Sequence, residues 1–350
     1  MWTHYSQKDY DLALETIDQN IKSHSTLASN SKLHFWKGSL LELTGDENAA
    51  KDVYKKIINE NPLSFYAILS AKALGNDQEE ETKLIYLTNL PQDNREKVKQ
   101  TTQNKKWIKR VTLWAQNNMS EFVDLEIKSL TLKNQGKSIN DQIKFLAYQL
   151  KRNKNYLESF KIIYKSVNNK LVTLDARMLK ILFPKPFFNQ IEKQTKDFDP
   201  IIALSLIRQE SGFNKFARSH VGARGLMQLM PNTAKQFKRK LKSRQLYNPS
   251  LNIKIGTEYF NTLLESYNNN LVYSLAAYNA GESRVNLWQQ EYMTSDNILT
   301  NIENIPFLET RKYVKLIFRN IFFYKMILNK DLKDFSKKNQ IYDIKLGFNG

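Results

Sequence analysis

Glu210 is the residue whose neighbours in sequence favour acid–base chemistry. It closes DPIIALSLIRQESG, Asp199 to Gly212, which reads as an apolar helix ending on one acidic side chain. Asp199 suits an N-cap, and Pro200 stands where proline is tolerated, at the first helical position. Ala203, Leu206, Ile207 and Glu210 fall at spacings i, i+3, i+4 and i+7, so the glutamate shares the apolar stripe. Ser211-Gly212 then ends the helix, with glycine free to take the left-handed conformation. A carboxylate at that place is opposed by the partial negative charge of the helix C-terminus. It is also opposed by the loss of water in an apolar surround. Both effects raise the pKa and favour the protonated form that a general acid needs near neutral pH. The competing reading is a helix-end glutamate that bends into solvent, and this segment alone leaves both open.

Further motifs follow in order. ALSLIRQESGFN is succeeded by SHVGARGLMQLMPNTA, then by LAAYNAG at Leu275–Gly281 with Arg284, Val285 and Trp288 beyond it, then by IPFLETRKYV at Ile305–Val314. Together these resemble the catalytic domain of the lytic transglycosylases that cleave peptidoglycan, a branch of the goose-type lysozyme-like fold. After ESGFN the family often has proline, and Lys215 stands there instead. That change loosens a turn without touching a reacting group.

The resemblance implies a chemistry and a set of roles. Ordinary glycoside hydrolysis uses two carboxylates, whereas in this family a single glutamate protonates the glycosidic oxygen. The substrate's own N-acetyl group stabilises the cationic centre, and the same glutamate then takes the proton of the muramoyl C6 hydroxyl. That hydroxyl attacks C1 and gives a 1,6-anhydro product, helped by its high effective concentration. Glu210 is therefore the expected catalytic residue. Ser211, Met227, Gln228, Tyr278, Asn279 and Glu309 are the expected substrate-binding residues. For several of them a plainer reading stands beside this one. Ser211 either hydrogen-bonds near the cleft or only helps to end the helix. Met227 is a weak candidate, because a methionine is more often core filling. Gln228 can both donate to and accept from sugar groups. Tyr278 and Asn279 sit between small residues that leave room for a sugar ring. Glu309 either reaches the cleft or pairs with Arg311 or Lys312.

The elements that must hold these residues divide the chain. Residues 1–80 read as the end of a tetratricopeptide-like helical-repeat superhelix, with Gly38, Leu41, Ala50, Tyr54, Ile57 and Pro62 at repeat-like positions and Thr44-Gly45-Asp46 as the turn. Such repeats need stacked neighbours to bury their apolar faces. NPLSFYAILSAKALG, Asn61–Gly75, resembles the segment that closes the array in the large soluble members of the family. Residues 81–185 read as a helical linker domain, with breaks expected at Asn76–Glu81 and Leu90–Asn94. Its apolar stripes are Trp107, Ile108, Val111, Leu113 and Trp114, then Phe122, Leu125, Ile127 and Leu130, then Ile143, Leu146, Ala147 and Leu150. LFPKP at Leu182–Pro186 interrupts helicity. Residues 186–335 hold the motifs as a lysozyme-like α+β catalytic domain, with Gly225–Leu229 expected as a short extended return. Residues 336–350 form a tail. The fold class expected is mainly α.

Composition narrows the alternatives. No cysteine is present, which excludes disulfides, thiol nucleophiles and cysteine zinc sites. His4, His24, His34 and His220 have no metal-ligand spacing, and no metal or cofactor is expected. The net charge of +18 is spread along the chain. It favours anionic partners, here the glycan strands and acidic peptides of peptidoglycan, with other cell-wall enzymes as further candidates. No basic-aromatic module points to nucleic acid, and no apolar run is long enough for a membrane helix. A binding scaffold with a dead catalytic domain is the alternative class, and a water-using muramidase on the same fold is the chemical rival. The implied location is the periplasm or cell envelope of a bacterium. WTHYSQKDY lacks the apolar core of a leader, so the expectation is a processed or shortened chain.

Overall fold

Short polar side chains set where the helices begin. In the computed structural model of the chain, Asp46 accepts from the Ala49 amide at 3.1 Å, Ser64 from Ala67 at 3.0 Å, Asp175 from Met178 at 2.9 Å and Asp199 from Ile201 at 2.8 Å. Each satisfies an amide that a helix start leaves without an internal partner. Residues 5, 7, 9–23, 27–75, 102–117, 119–133 and 137–328 are described by the structure. The breaks expected at Asn76–Glu81 and Leu90–Asn94, and the tail, lie outside them. The described residues are helical almost throughout. Their β structure is limited to two isolated bridges, Arg218 with Arg224 and Arg224 with Leu229. No helix among them is long and apolar enough to cross a membrane.

The described residues fall into two units, one drawn from Met1–Asn89 with Phe260–Gly350 and the other from Leu90–Tyr259. The first opens with helices Tyr10–Ser23, Leu27–Leu43, Glu47–Glu60 and Phe65–Leu74. The second and third form the expected helix-turn-helix pair, turned by Gly45 at φ +88°. Gly38 lies directly against the ring of Tyr54, so a Cβ there would intrude on it. This is why a residue poor in helix propensity is used in mid-helix. The C-terminal part of the unit holds helices Leu271–Ala280, Glu282–Glu291, Ile298–Asn304 and Leu308–Leu328. Helix Leu271–Ala280 is not amphipathic. Leu271, Val272, Ser274, Leu275, Ala276, Ala277 and Ala280 are all buried, leaving it enclosed on nearly every side.

The second unit contains helices Thr102–Gln116, Ser120–Lys133, Lys137–Arg152 and Tyr156–Asn168, followed by the shorter Ala176–Leu182 and Phe188–Gln194 and by Pro200–Ser211 and Pro231–Phe237. Ile143, Leu146, Ala147 and Leu150 are fully buried, as their spacing predicts. The two preceding stripes differ from expectation. Trp107, Val111, Ala115 and Val123 are buried, while Leu113, Phe122 and Leu125 stand exposed. The helices are as predicted, but the buried face is set by neighbours that periodicity does not see.

A buried ionic cluster ties the two chain segments of the first unit together. Glu303 is enclosed, and its Oε1 accepts from the Tyr66 hydroxyl at 2.6 Å and meets Lys315 Nζ at 2.7 Å. Lys315 also donates to the Tyr66 oxygen at 2.6 Å. Lys32 Nζ lies 2.6 Å from Oε2. Burial alone would raise the Glu303 pKa, but Lys315 and Lys32 outweigh it and hold the carboxyl below the usual range. Burial draws Lys315 down to about 8 against the pull of Glu303, so the pair is charged at neutral pH. Removing one partner of a buried pair strands the others, at a cost of about 3–5 kcal/mol. Glu303→Gln is therefore expected to lower stability by roughly that amount. A carboxyl with a depressed folded pKa contributes stability above its unfolded value, and that contribution is lost as pH falls through the folded value. The parent chain should thus lose stability below the ordinary glutamate range more steeply than Glu303→Gln. Denaturant titrations across acid pH would show this, and parallel curves would refute it.

Candidate active site

Helix Pro200–Ser211 delivers Glu210 to its last turn. Pro200 occupies the first position, and Gly212 ends the helix at φ +55° with its amide donating to the Arg208 carbonyl. A Cβ at Gly212 would stand 3.1 Å from that of Leu157, a tight contact, and the left-handed φ favours glycine here. Ile201 to Leu206 and Ile207 are fully or nearly fully buried, which makes the helix a core element rather than a surface one. Glu210 is half-buried at its end.

Arg208, two residues before Glu210, fixes the helix. Its guanidinium lies between two rings, 4.3 Å from the centre of Phe160 and 4.6 Å from that of Phe183. Its Nε donates to the Leu182 carbonyl at 3.0 Å. A planar cation close to two rings and bonded through its edge cannot be replaced by lysine without loss. The motifs do not single this residue out, although an arginine inside an otherwise apolar helix is a visible signal. Beyond Gly212, Phe213 packs edge-on against Tyr156 with ring centres 5.5 Å apart. Lys215, at the position where the family often has proline, is exposed, and its ammonium sits over the Phe216 ring.

Ser211 and Met227 are both engaged in packing. Ser211 Oγ donates to the Ile207 carbonyl at 3.1 Å and is buried. Met227 has no exposed surface and lies against Gly256, where any Cβ would strike its side chain.

Residues 225–228 form a tight turn closed by the Arg224–Leu229 bridge, not the extended return expected. The reason is conformational. Gly225 has φ +80° and Gln228 φ +47°, and both values curl the chain. Asn252, fully buried, holds this turn with all of its amide. It accepts from the Met227 amide at 2.8 Å and donates to the carbonyls of Leu246 at 2.9 Å and Arg224 at 3.0 Å. A Cβ on Gly225 would collide with Asn252 and with the Leu246 carbonyl. The Gln228 amide donates to the carbonyls of Gly225 at 2.8 Å and Ala217 at 3.2 Å, which leaves its Oε1 as the group it can present.

Tyr278, Asn279 and Glu309 belong to the first unit. Tyr278 is half-buried, with its ring at 5.9 Å and 66° to that of Phe260. Asn279 accepts through Oδ1 from Thr310 Oγ1 at 2.6 Å. Glu309 is exposed, and the ion pair suggested for it is not formed. Arg311 instead donates twice to the Ile305 carbonyl, at 2.9 and 2.7 Å. Asn252 lies outside the sequence motifs and Thr310 lies inside one without being singled out, because a hydroxyl or amide serving a partner far along the chain carries no local pattern.

Residues 187–301 match the family model of the transglycosylase SLT domain. Along most of its length the chain is similar to soluble lytic murein transglycosylases. That of Escherichia coli strain K12 is 29% identical over 304 residues, 84% of this chain and 43% of the relative. A Haemophilus influenzae protein described as a putative soluble lytic murein transglycosylase is 36% identical over 143 residues, 39% of this chain and 24% of that one. Among solved structures, the 70-kDa soluble lytic transglycosylase of Escherichia coli aligns with a TM-score of 0.61 and 28% identity, covering 85% of this chain and 46% of that one. A 70-kDa soluble lytic transglycosylase has also been solved in complex with bulgecin A. An inactive glutamate-to-glutamine mutant of the lytic transglycosylase Slt from Pseudomonas aeruginosa aligns with a TM-score of 0.63 and 26% identity, covering 92% of this chain and 50% of that one. The chain thus spans about half the length of the relatives it matches or less.

Asn252→Ala should test the support of the SLT turn. It leaves the Leu246 carbonyl and the Met227 amide without this partner and takes one of two donors from the Arg224 carbonyl, which keeps the Leu229 amide, so a loss of about 2–4 kcal/mol is expected. A change within about 0.5 kcal/mol, the range of ordinary surface substitutions, would mean the turn holds itself.

Proposed function

We propose that this chain is a peptidoglycan lytic transglycosylase. It cleaves the β-1,4 bond between N-acetylmuramic acid and N-acetylglucosamine and leaves a 1,6-anhydro muramoyl end. The observation that carries the reading is Glu210, the half-buried carboxyl at the end of an enclosed apolar helix, within the region matching the SLT domain. The inactive glutamate-to-glutamine mutant of the Pseudomonas aeruginosa relative supports a glutamate in this role.

Glu210 first donates its proton to the glycosidic oxygen, and the bond from C1 to that oxygen breaks. The substrate's acetamido oxygen covers the positive charge that develops at C1. Glu210, now a carboxylate, takes the proton of the muramoyl C6 hydroxyl, and that oxygen bonds to C1. Protons balance, Glu210 ends as it began, and no water is consumed. Gln228, Tyr278, Asn279 and Glu309 are assigned to substrate binding, while Ser211 and Met227 are engaged in packing. Residues 1–80 as the end of a repeat array, 81–185 as a linker domain, 186–335 as the catalytic domain and 336–350 as a tail remain a proposal about roles. The packing units divide the chain elsewhere. The working location is the bacterial cell envelope, where such glycan strands are found.

Two measurements test this. Glu210→Gln should keep its circular dichroism spectrum and lose about 10²–10⁴-fold in turnover of sacculi, the range for a general acid. Digestion by the parent chain in heavy-oxygen water should give anhydro ends without label. Labelled reducing ends as the main product would instead establish a muramidase on the same fold. A folded Glu210→Gln chain digesting at the parent rate would overturn the assignment of the acid.

A further inference from the structure

We propose that Thr310 is a positioning residue that makes Asn279 a hydrogen-bond donor toward substrate. The proposal rests on the functional reading above for the identity of the ligand, a glycan bearing acetamido groups.

Thr310 is 1% exposed, in the first turn of helix Leu308–Leu328 and next to the exposed Glu309. Its hydroxyl donates to Asn279 Oδ1 at 2.6 Å. That separation fits an O–H···O bond and is short for N–H···O, whose usual length is about 2.9 Å. The amide is therefore turned with its oxygen toward Thr310. An asparagine side chain offers one carbonyl oxygen and two N–H donors. Thr310 occupies the oxygen, and among the described residues no acceptor is bonded to Nδ2. Asn279 is half-buried in the last turn of helix Leu271–Ala280, so what it has left to offer a ligand is a pair of donors. A donor pair recognises an acceptor, either the carbonyl oxygen of an acetamido group or a sugar hydroxyl oxygen. With the amide reversed, its oxygen would face that acceptor and repel it.

Thr310 is itself held in place. Arg311 ties the start of its helix to the Ile305 carbonyl through two hydrogen bonds. Farther along the same helix, Lys315 is anchored to Glu303 and Tyr66. The hydroxyl thus faces Asn279 from a rigid element, which is what orienting a substrate-binding group requires.

The test uses the full chain carrying Glu210→Gln, so that a tetrasaccharide of alternating N-acetylglucosamine and N-acetylmuramic acid is bound without turnover. Calorimetry should show Thr310→Val weakening binding about tenfold, the scale of one hydrogen bond with its partner left unsatisfied. Thr310→Ser should restore parent affinity. In an Asn279→Ala background, Thr310→Val should have no further effect. Parent-like binding by Thr310→Val would overturn the proposal, and so would a loss that persists without Asn279, since that marks a merely structural role. The side-chain amide signals of Asn279 in NMR should move in Thr310→Val and not in Thr310→Ser. This readout needs no ligand. Unmoved signals in Thr310→Val refute the orienting bond even if no variant binds the tetrasaccharide, whereas failure of the parent chain to bind defeats the glycan reading instead.

Discussion

The first unit depends on one buried charge. Glu303 and Tyr66 are 237 residues apart in sequence, and their hydrogen bond lies in an enclosed cluster with two ammonium groups. The two segments of the unit are joined by apolar packing as well, with Phe65 and Phe318 ring centres 6.4 Å apart. Apolar contact is non-directional and tolerates sliding. A buried carboxylate tolerates none, because each oxygen must keep its partner or bear the full desolvation penalty. Burial also keeps the Tyr66 phenol protonated, with the nearby Glu303 charge adding to the effect, so it remains a donor. The cluster therefore sets the register of helix Leu308–Leu328 against helix Phe65–Leu74, and with it the place of Thr310.

The second unit meets the same requirement with an arginine and an amide. Helix Pro200–Ser211 could rotate or slide within its apolar surround if packing alone held it. Arg208 removes that freedom, because a guanidinium between Phe160 and Phe183 with its Nε on a backbone carbonyl has one orientation. Asn252 does likewise for the turn that carries Gln228, with its oxygen and both N–H donors used on backbone groups. Both residues sit inside the protein. They show how a half-buried carboxyl can be placed accurately by groups whose own satisfaction admits a single geometry.

What is legible in the sequence follows from the range of the forces involved. Asp199, Pro200 and Gly212 act on backbone groups within a few residues, so local sequence is enough to bound the Glu210 helix. The stripe Ile143, Leu146, Ala147 and Leu150 is legible for the same reason. The order of the motifs points to the family. The buried face of helix Ser120–Lys133 is not legible, since Phe122 and Leu125 have the right spacing and are exposed all the same. The turn at 225–228 reads as extended because neither the positive φ of Gln228 nor the turn's bonding to Asn252, a residue of another element, is marked in its own residues. Glu303 has no signature at all, since a glutamate between an isoleucine and an asparagine in a short helix carries no local mark of burial.

The amides near the motifs show why side-chain identity underdetermines recognition. Gln228 and Asn279 have the same functional group, which by its chemistry can both donate and accept. The fold removes half of each. Gln228 has its donors on the carbonyls of Gly225 and Ala217, which leaves an acceptor. Asn279 has its acceptor on Thr310, which leaves donors. A free amide can turn to suit either kind of ligand group, whereas these two have each been committed to one by a neighbour inside its own unit. An amide committed in this way loses less rotamer freedom when a ligand arrives, and it discriminates against groups of the wrong polarity. The specificity of such a residue is therefore written in the partner behind it, and a substitution at that partner can change recognition while every residue facing the ligand stays the same.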